Sequence, residues 1–134
     1  MKLGIIGSGF VGATAAYAIM LKGGASEIVL VDKNKERAEA EAADIRHASP
    51  FVHHVKVRSG EYADLKGATM VIVTAGVSQK PGQTRLDLLN QNAGILKDIM
   101  DNIIHHTPES LILMAINPVD IMTHIASKYA QGKG

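Results

Sequence analysis

Near the amino terminus, Gly7-Ser8-Gly9-Phe10-Val11-Gly12 sets three glycines in the spacing G-x-G-x-x-G. That spacing suits the close approach of a backbone to a pyrophosphate. Gly7 permits a tight turn, Gly9 has no side chain to hold a phosphate away, and Gly12 lets a following helix pack against the preceding strand. In a chain with 13 glycines the pattern alone is weak. Here it follows the apolar run Leu3-Gly4-Ile5-Ile6 and opens an Ala-rich stretch of helical periodicity, which strengthens it. A helix N-terminus at that point offers unpaired N–H groups and partial positive charge to phosphate oxygens. Asp32 closes the next apolar run, about 20 residues after Gly12, where a carboxylate accepts hydrogen bonds from the adenosine ribose. Its charge repels a 2′-phosphate, so NAD is expected in preference to NADP. Arg37, one turn further on, is either a contact to the adenosine-side phosphate or ribose, or a solvated helix residue.

A second polar group spans Thr74 to Arg85 and follows the most β-branched run of the chain, Thr69 to Thr74. In open α/β sheets ligands bind beyond the carboxyl ends of the strands. The small residues Ala75 and Gly76 would let a cofactor pass close to the backbone, and Gly82 would hinge a lid. Arg85 stands where this loop becomes helix, either as an ordinary helix-start arginine or as a group reaching a substrate carbonyl. Asn117 ends a further apolar run, where it serves as an N-cap or as an uncharged donor and acceptor toward a ligand.

The elements that must hold these residues alternate in type. Strands are expected at Leu3–Ile6, Ile28–Val31, Val55–Val57, Thr69–Thr74 and Leu111–Met114. Helices are expected from about Phe10 to Leu21 (stopped by Gly23-Gly24), from Lys33 to His47, over a stripe of Leu86, Leu89, Ala93, Leu96, Met100 and Ile103, and from Asn117-Pro118 onward. The last would take Asn117 as N-cap and Pro118 as first helical residue. Alternation of this kind indicates βαβ units. Right-handed crossovers then give a doubly wound α/β parallel sheet, of about five strands in order 3-2-1-4-5, lacking the sixth strand of a full dinucleotide fold.

Composition excludes several classes. At 46% hydrophobic and 20% charged, the 134 residues form a core, as one dinucleotide-binding domain over 1–134. A net charge of +1 gives no reason to expect nucleic acid or an acidic membrane surface. Without cysteine there is no disulfide, thiolate metal site or cysteine nucleophile. No apolar run reaches membrane-spanning length, and a cytoplasmic location is expected. Metal binding is not expected either, because His53-His54 and His105-His106 are adjacent pairs without a spaced third ligand.

Taken together, GSGFVG, the acid in LVDKNKERAEAEAADIRHA, the segment TAGVSQKPGQTRLDLLNQN and the segment INPVD resemble the N-terminal half of L-lactate dehydrogenases, in a wider family that includes malate dehydrogenases. The resemblance runs from residue 1 to about residue 130. It implies that Gly7, Gly9 and Gly12 cradle the NAD pyrophosphate with Val11 against the cofactor, and that Asp32 holds the ribose. Tyr62 would line the adenine pocket, and Thr74, Ala75 and Gly76 would run along the cofactor. Gln79 matches the substrate-specificity position. Glutamine there is typical of lactate dehydrogenases, whereas an arginine marks the malate enzymes. Arg85 matches the arginine that polarises the substrate carbonyl. Asn117 matches an asparagine that contacts substrate and nicotinamide, and Asp120 belongs to the same segment.

The resemblance also implies homo-oligomers, paired near the helix from Lys33 to His47. It implies an acid/base His, its Asp and a carboxylate-binding Arg that lie beyond the INPVD helix in the family and are absent from these residues. None of His47, His53, His54, His105, His106 and His124 is expected to replace that His. The leading expectation is therefore an NAD-binding domain of an L-lactate dehydrogenase, which binds NAD but turns over no pyruvate or lactate alone. The alternatives are one part of a split or assembled 2-hydroxy acid dehydrogenase, or an engineered fold model without activity.

Overall fold

The structure, a computed structural model, describes residues 1–78 and 80–132; Gln79, Lys133 and Gly134 lie outside the described residues. Five strands form one parallel sheet: β1 (Lys2–Ile6), β2 (Glu27–Val31), β3 (Lys56–Ser59), β4 (Met70–Val73) and β5 (Leu111–Met114). Their order is β3-β2-β1-β4-β5, the doubly wound arrangement expected from the sequence. Among the described residues, α1 (Phe10–Lys22), α2 (Lys35–Arg46) and α3 (Arg85–His106) lie between strands, and α4 (Val119–Gln131) follows β5. Short 3-10 turns at Ser49–Phe51 and Tyr62–Leu65 were not expected.

Strand alternation sends side chains to two separate cores. Leu3, Ile5, Ile28, Leu30, Val57 and Ile72 meet Ala16 and Met20 of α1 and Ala38, Ala42 and Ile45 of α2. Ile6, Val29, Val31, Val71 and Val73 meet Leu96, Ile99, Met100 and Ile103 of α3 and Met122 and Ala126 of α4. Both faces of the central strands are therefore covered, which explains why β1, β2 and β4 read as unbroken apolar runs. The outer strand β5 differs. Ile112 and Met114 pack against the α3–α4 layer, but Leu111 and Leu113, on the other face, are 63% and 49% exposed.

Some local expectations are corrected. Helix α2 starts at Lys35 rather than Lys33, because Asn34 caps it by accepting from Arg37 N–H at 3.0 Å. The buried stripe of α3 runs through Asn92 rather than Ala93, and Leu86 is 64% exposed in the first turn. Asn117 is not the N-cap of α4. That place belongs to Pro118, whose backbone is extended (ψ 119°) and whose carbonyl accepts from Met122 N–H. The Asn117–Pro118 peptide is cis. Helix α1 stops at Gly23, which takes the left-handed conformation (φ 72°) as expected.

The amino-terminal edge of the sheet, opposite the glycine loop, carries an ion network. Arg58 bridges Glu27 at 2.9 Å and Asp64 at 3.0 Å, and Lys2 lies 3.9 Å from Glu27. The hydrogen bond from Arg58 holds the Glu27 carboxyl below its usual range, and the Glu61 N–H followed by Arg58 does the same for Asp64. Carboxyls depressed in the folded state stabilise it above their unfolded pKa, near 4, and lose that contribution as pH falls through the folded value. Arg58→Gln is accordingly expected to lose a modest part of the stability at neutral pH, a deficit that closes as pH falls through the folded values, so that its acid-unfolding midpoint lies at higher pH. Circular dichroism against pH would test this, and an unmoved midpoint would remove the network from the acid response.

Candidate cofactor site

The residues singled out by spacing gather at the carboxyl edge of the sheet. Gly7 leaves β1 with φ +99°, a value open to glycine but strained for any L side chain. Its N–H donates to Val31 O at 2.8 Å. Gly9 is the extended N-cap of α1. A Cβ built on Gly9 meets nothing nearer than Nη2 of Arg37, at 3.8 Å. The space above Gly9 is thus open to a ligand, with a guanidinium at its rim. A Cβ on Gly12 would stand 1.8 Å from Gly7 O and 2.8 Å from Thr74 Oγ1, so only glycine lets α1 lie this close. Val11 is 61% exposed in the first turn of α1.

Asp32 follows β2 directly and faces this loop. Oδ2 accepts from Ser8 N–H at 2.6 Å and from the Ser8 hydroxyl at 2.8 Å, and Oδ1 accepts from Asn34 N–H at 2.9 Å. Burial opposes the charge, but these bonds and the nearby Arg37 outweigh it and hold the carboxyl below its usual range. Tyr62 lies half-buried on the 3-10 turn against the α3–α4 core. Burial, then the charges of Asp98 and Asp32, push its hydroxyl up.

The chain leaving β4 packs on the glycine loop. Thr74 Oγ1 lies 2.9 Å from Gly7 O and 3.1 Å from Ile6 O, and Ala75 N–H donates to Ile6 O at 2.9 Å. The Thr74 hydroxyl thus clasps the glycine loop. Gly76 sits where a Cβ would press on Ile116 at 3.1 Å and Asn92 at 3.3 Å. Asn92, buried at 2% exposure, accepts from Val77 N–H at 2.9 Å and reaches Asn117 O at 3.5 Å. It ties the loop after β4 to the turn after β5. Arg85 and Asp120 are exposed in the first turns of α3 and α4, and Asn117 is exposed between β5 and α4. Thr84 and Asp87 form a reciprocal cap that fixes where α3 begins. Gln79 lies outside the described residues.

Ser8, Asn34 and Asn92 were not foreseen. A signal existed for Asn92, since a polar residue on the inward side of an apolar stripe is either buried with partners or misplaced. Asn92→Ala leaves Val77 N–H without its acceptor and is expected to cost about 1–3 kcal/mol. Hydrogen exchange at Val77 should accelerate more than at residues of β1, and equal rates at both would oppose the tie.

No group of three or more His, Cys, Asp or Glu side chains among the described residues could hold a metal. The histidines stand elsewhere: His47 caps α2, His53 and His54 precede β3, and His105 and His106 end α3 as an edge-to-face pair. His124 is exposed on α4.

Residues 1–133 match the family model of the lactate/malate dehydrogenase NAD-binding domain. The chain belongs to this family. The lactate/malate dehydrogenase relatives include an L-lactate dehydrogenase of Geotalea daltonii, 53% identical over 97% of this chain and 42% of its own length. Another, from Thermus aquaticus, is 56% identical over 94% of this chain and 41% of its own length. Among solved structures, a minor L-lactate dehydrogenase of Enterococcus mundtii in a ligand-bound form superposes with TM-score 0.94 at 43% identity, over 97% of this chain and 42% of that one. A malate dehydrogenase of Archaeoglobus fulgidus in complex with NADH gives 0.92 at 44% identity, over 98% of this chain and 45% of that one. This lactate/malate dehydrogenase NAD-binding domain therefore spans less than half the length of the curated relatives it matches. No helix of the described residues is long and apolar enough to cross a membrane.

Proposed function

We propose that these residues form the cofactor half of an L-lactate dehydrogenase, reducing pyruvate with NADH in the whole protein. The observation that carries the cofactor reading is the pairing of an open Gly9 with a fixed, ionised Asp32 at one sheet edge. The glycine loop and the N-terminus of α1 would take the pyrophosphate, with Arg37 at its rim and Val11 beside it. Asp32 would hold the adenosine ribose and Tyr62 would line the adenine side. Thr74, Ala75 and Gly76 would border the path to the nicotinamide, and Asn117 would contact it. When bound, NADH supplies the hydride and NAD accepts it.

Toward the substrate, Arg85 would polarise the carbonyl and Gln79, Asn117 and Asp120 would complete the contacts. Gln79 supports lactate over malate chemistry by residue type, since a neutral amide offers no charge to a second carboxylate. The substrate domain would be contributed from outside residues 1–134. Pairing of subunits through α1 and α2 would cover Phe10, which is 90% exposed, and Tyr17.

Calorimetric titration with NAD tests the cofactor reading. Arg85→Ala is expected to leave NAD affinity within about twofold, because its contact would be to substrate. These residues alone should show no pyruvate reduction, as none of their histidines joins the site edge. Turnover that Arg85→Ala abolishes would overturn that part of the reading.

A further inference from the structure

Ser8 occupies the first variable position of the glycine loop and is fully buried, yet it carries a hydroxyl. Both of its donors point at one atom, Oδ2 of Asp32, at 2.6 and 2.8 Å. A carboxylate has about four in-plane acceptor positions, two on each oxygen. The chain itself fills both on Oδ2, and Asn34 N–H fills one on Oδ1. A ribose diol brings two hydroxyl donors. Resting on the reading that Asp32 holds the adenosine ribose, we propose that Ser8 is a positioning residue that makes Asp32 a reader of one ribose hydroxyl only. The single open position is on Oδ1. The backbone N–H groups of Ser8 and Asn34 cannot leave without moving the glycine loop or the start of α2, so the Ser8 hydroxyl decides whether a second position exists.

Titrations with NAD, 2′-deoxyadenosine-NAD and 3′-deoxyadenosine-NAD distinguish this from a carboxylate that grips both hydroxyls. In the unaltered chain, one deoxy analogue should lose at least tenfold in affinity and the other less than threefold. In Ser8→Ala the two losses should come within twofold of each other, because Oδ2 is then open to the second hydroxyl. Equal losses in the unaltered chain, or an asymmetry that Ser8→Ala leaves intact, would overturn the proposal. A second readout needs no ligand. The ¹³C carboxyl titration of Asp32 should move to higher pH in Ser8→Ala, while Arg37 on α2 and Tyr62 on the 3-10 turn, the charged or titratable groups acting on it, are retained. An unmoved midpoint also overturns it. Asp32→Ala separates the two levels. If that change left NAD affinity intact, the ribose reading itself would fall; if it abolished affinity while Ser8→Ala changed nothing, only the role of Ser8 would fall.

Discussion

Gly12→Ala is expected to destabilise the fold by about 3 kcal/mol or more, at the top of the range for overpacking. On a domain of this size that lowers the melting temperature by on the order of 10 °C. The added Cβ would meet Gly7 O at 1.8 Å and Gly7 C at 3.0 Å, both backbone atoms, so no side chain can swing aside. Relief requires α1 to move off the sheet, yet Ala16 and Met20 fix its inner face with no exposed surface. Gly94→Ala on α3 is the control. Nothing lies within 4 Å of a Cβ there, and replacing a helical glycine should raise stability by about 0.5–1 kcal/mol. Thermal unfolding of both variants tests the account. Equal melting temperatures would mean that the Gly12 contact does not constrain the fold.

Asp32→Ala is expected to weaken NAD binding by tenfold or more. Hydrogen bonds to a charged group contribute roughly 1.5–3 kcal/mol, and each 1.4 kcal/mol is about a factor of ten. Asp32→Asn should cost nearly as much. Ser8 N–H, the Ser8 hydroxyl and Asn34 N–H all donate toward this side chain, and an amide turns one acceptor oxygen into a competing donor. Because these donors hold the carboxyl below its usual range, NAD affinity should stay level as pH falls to about 4 and decline only below that. Calorimetry on both variants and across pH checks this. An asparagine variant with full affinity would show that the ribose is read by shape rather than charge.

The legible parts of the molecule were those where one residue answers to one constraint. The strand order followed from alternating apolar runs, and the loop geometry followed from Gly7 and Gly12, whose places admit no side chain. Asp32 was legible because it ends a buried strand at a fixed distance from them. What stayed hidden depended on partners far apart in the chain. Ser8 reads as filler until β2 brings Asp32 alongside, and Asn92 reads as a break in an apolar stripe until Val77 and Asn117 converge on it. Asn117 and Pro118 matched a helix-start pattern that puts the cap at Asn117, but the cap falls one residue on, at Pro118. Helix α4 accepts at the Pro118 carbonyl.

The clasp of Thr74 on Gly7 has a kinetic consequence. The glycine loop is held by the protein itself, through the Thr74 hydroxyl on Gly7 O, Gly7 N–H on Val31 O and Ser8 on Asp32, rather than by phosphate oxygens. A loop already ordered loses little conformational freedom when a dinucleotide arrives. Encounter then becomes capture in one step, and the observed rate should climb linearly with NAD concentration without reaching a plateau. Thr74→Val keeps the branched shape but removes the hydroxyl; freed to sample other shapes, the loop would impose a ceiling on that rate.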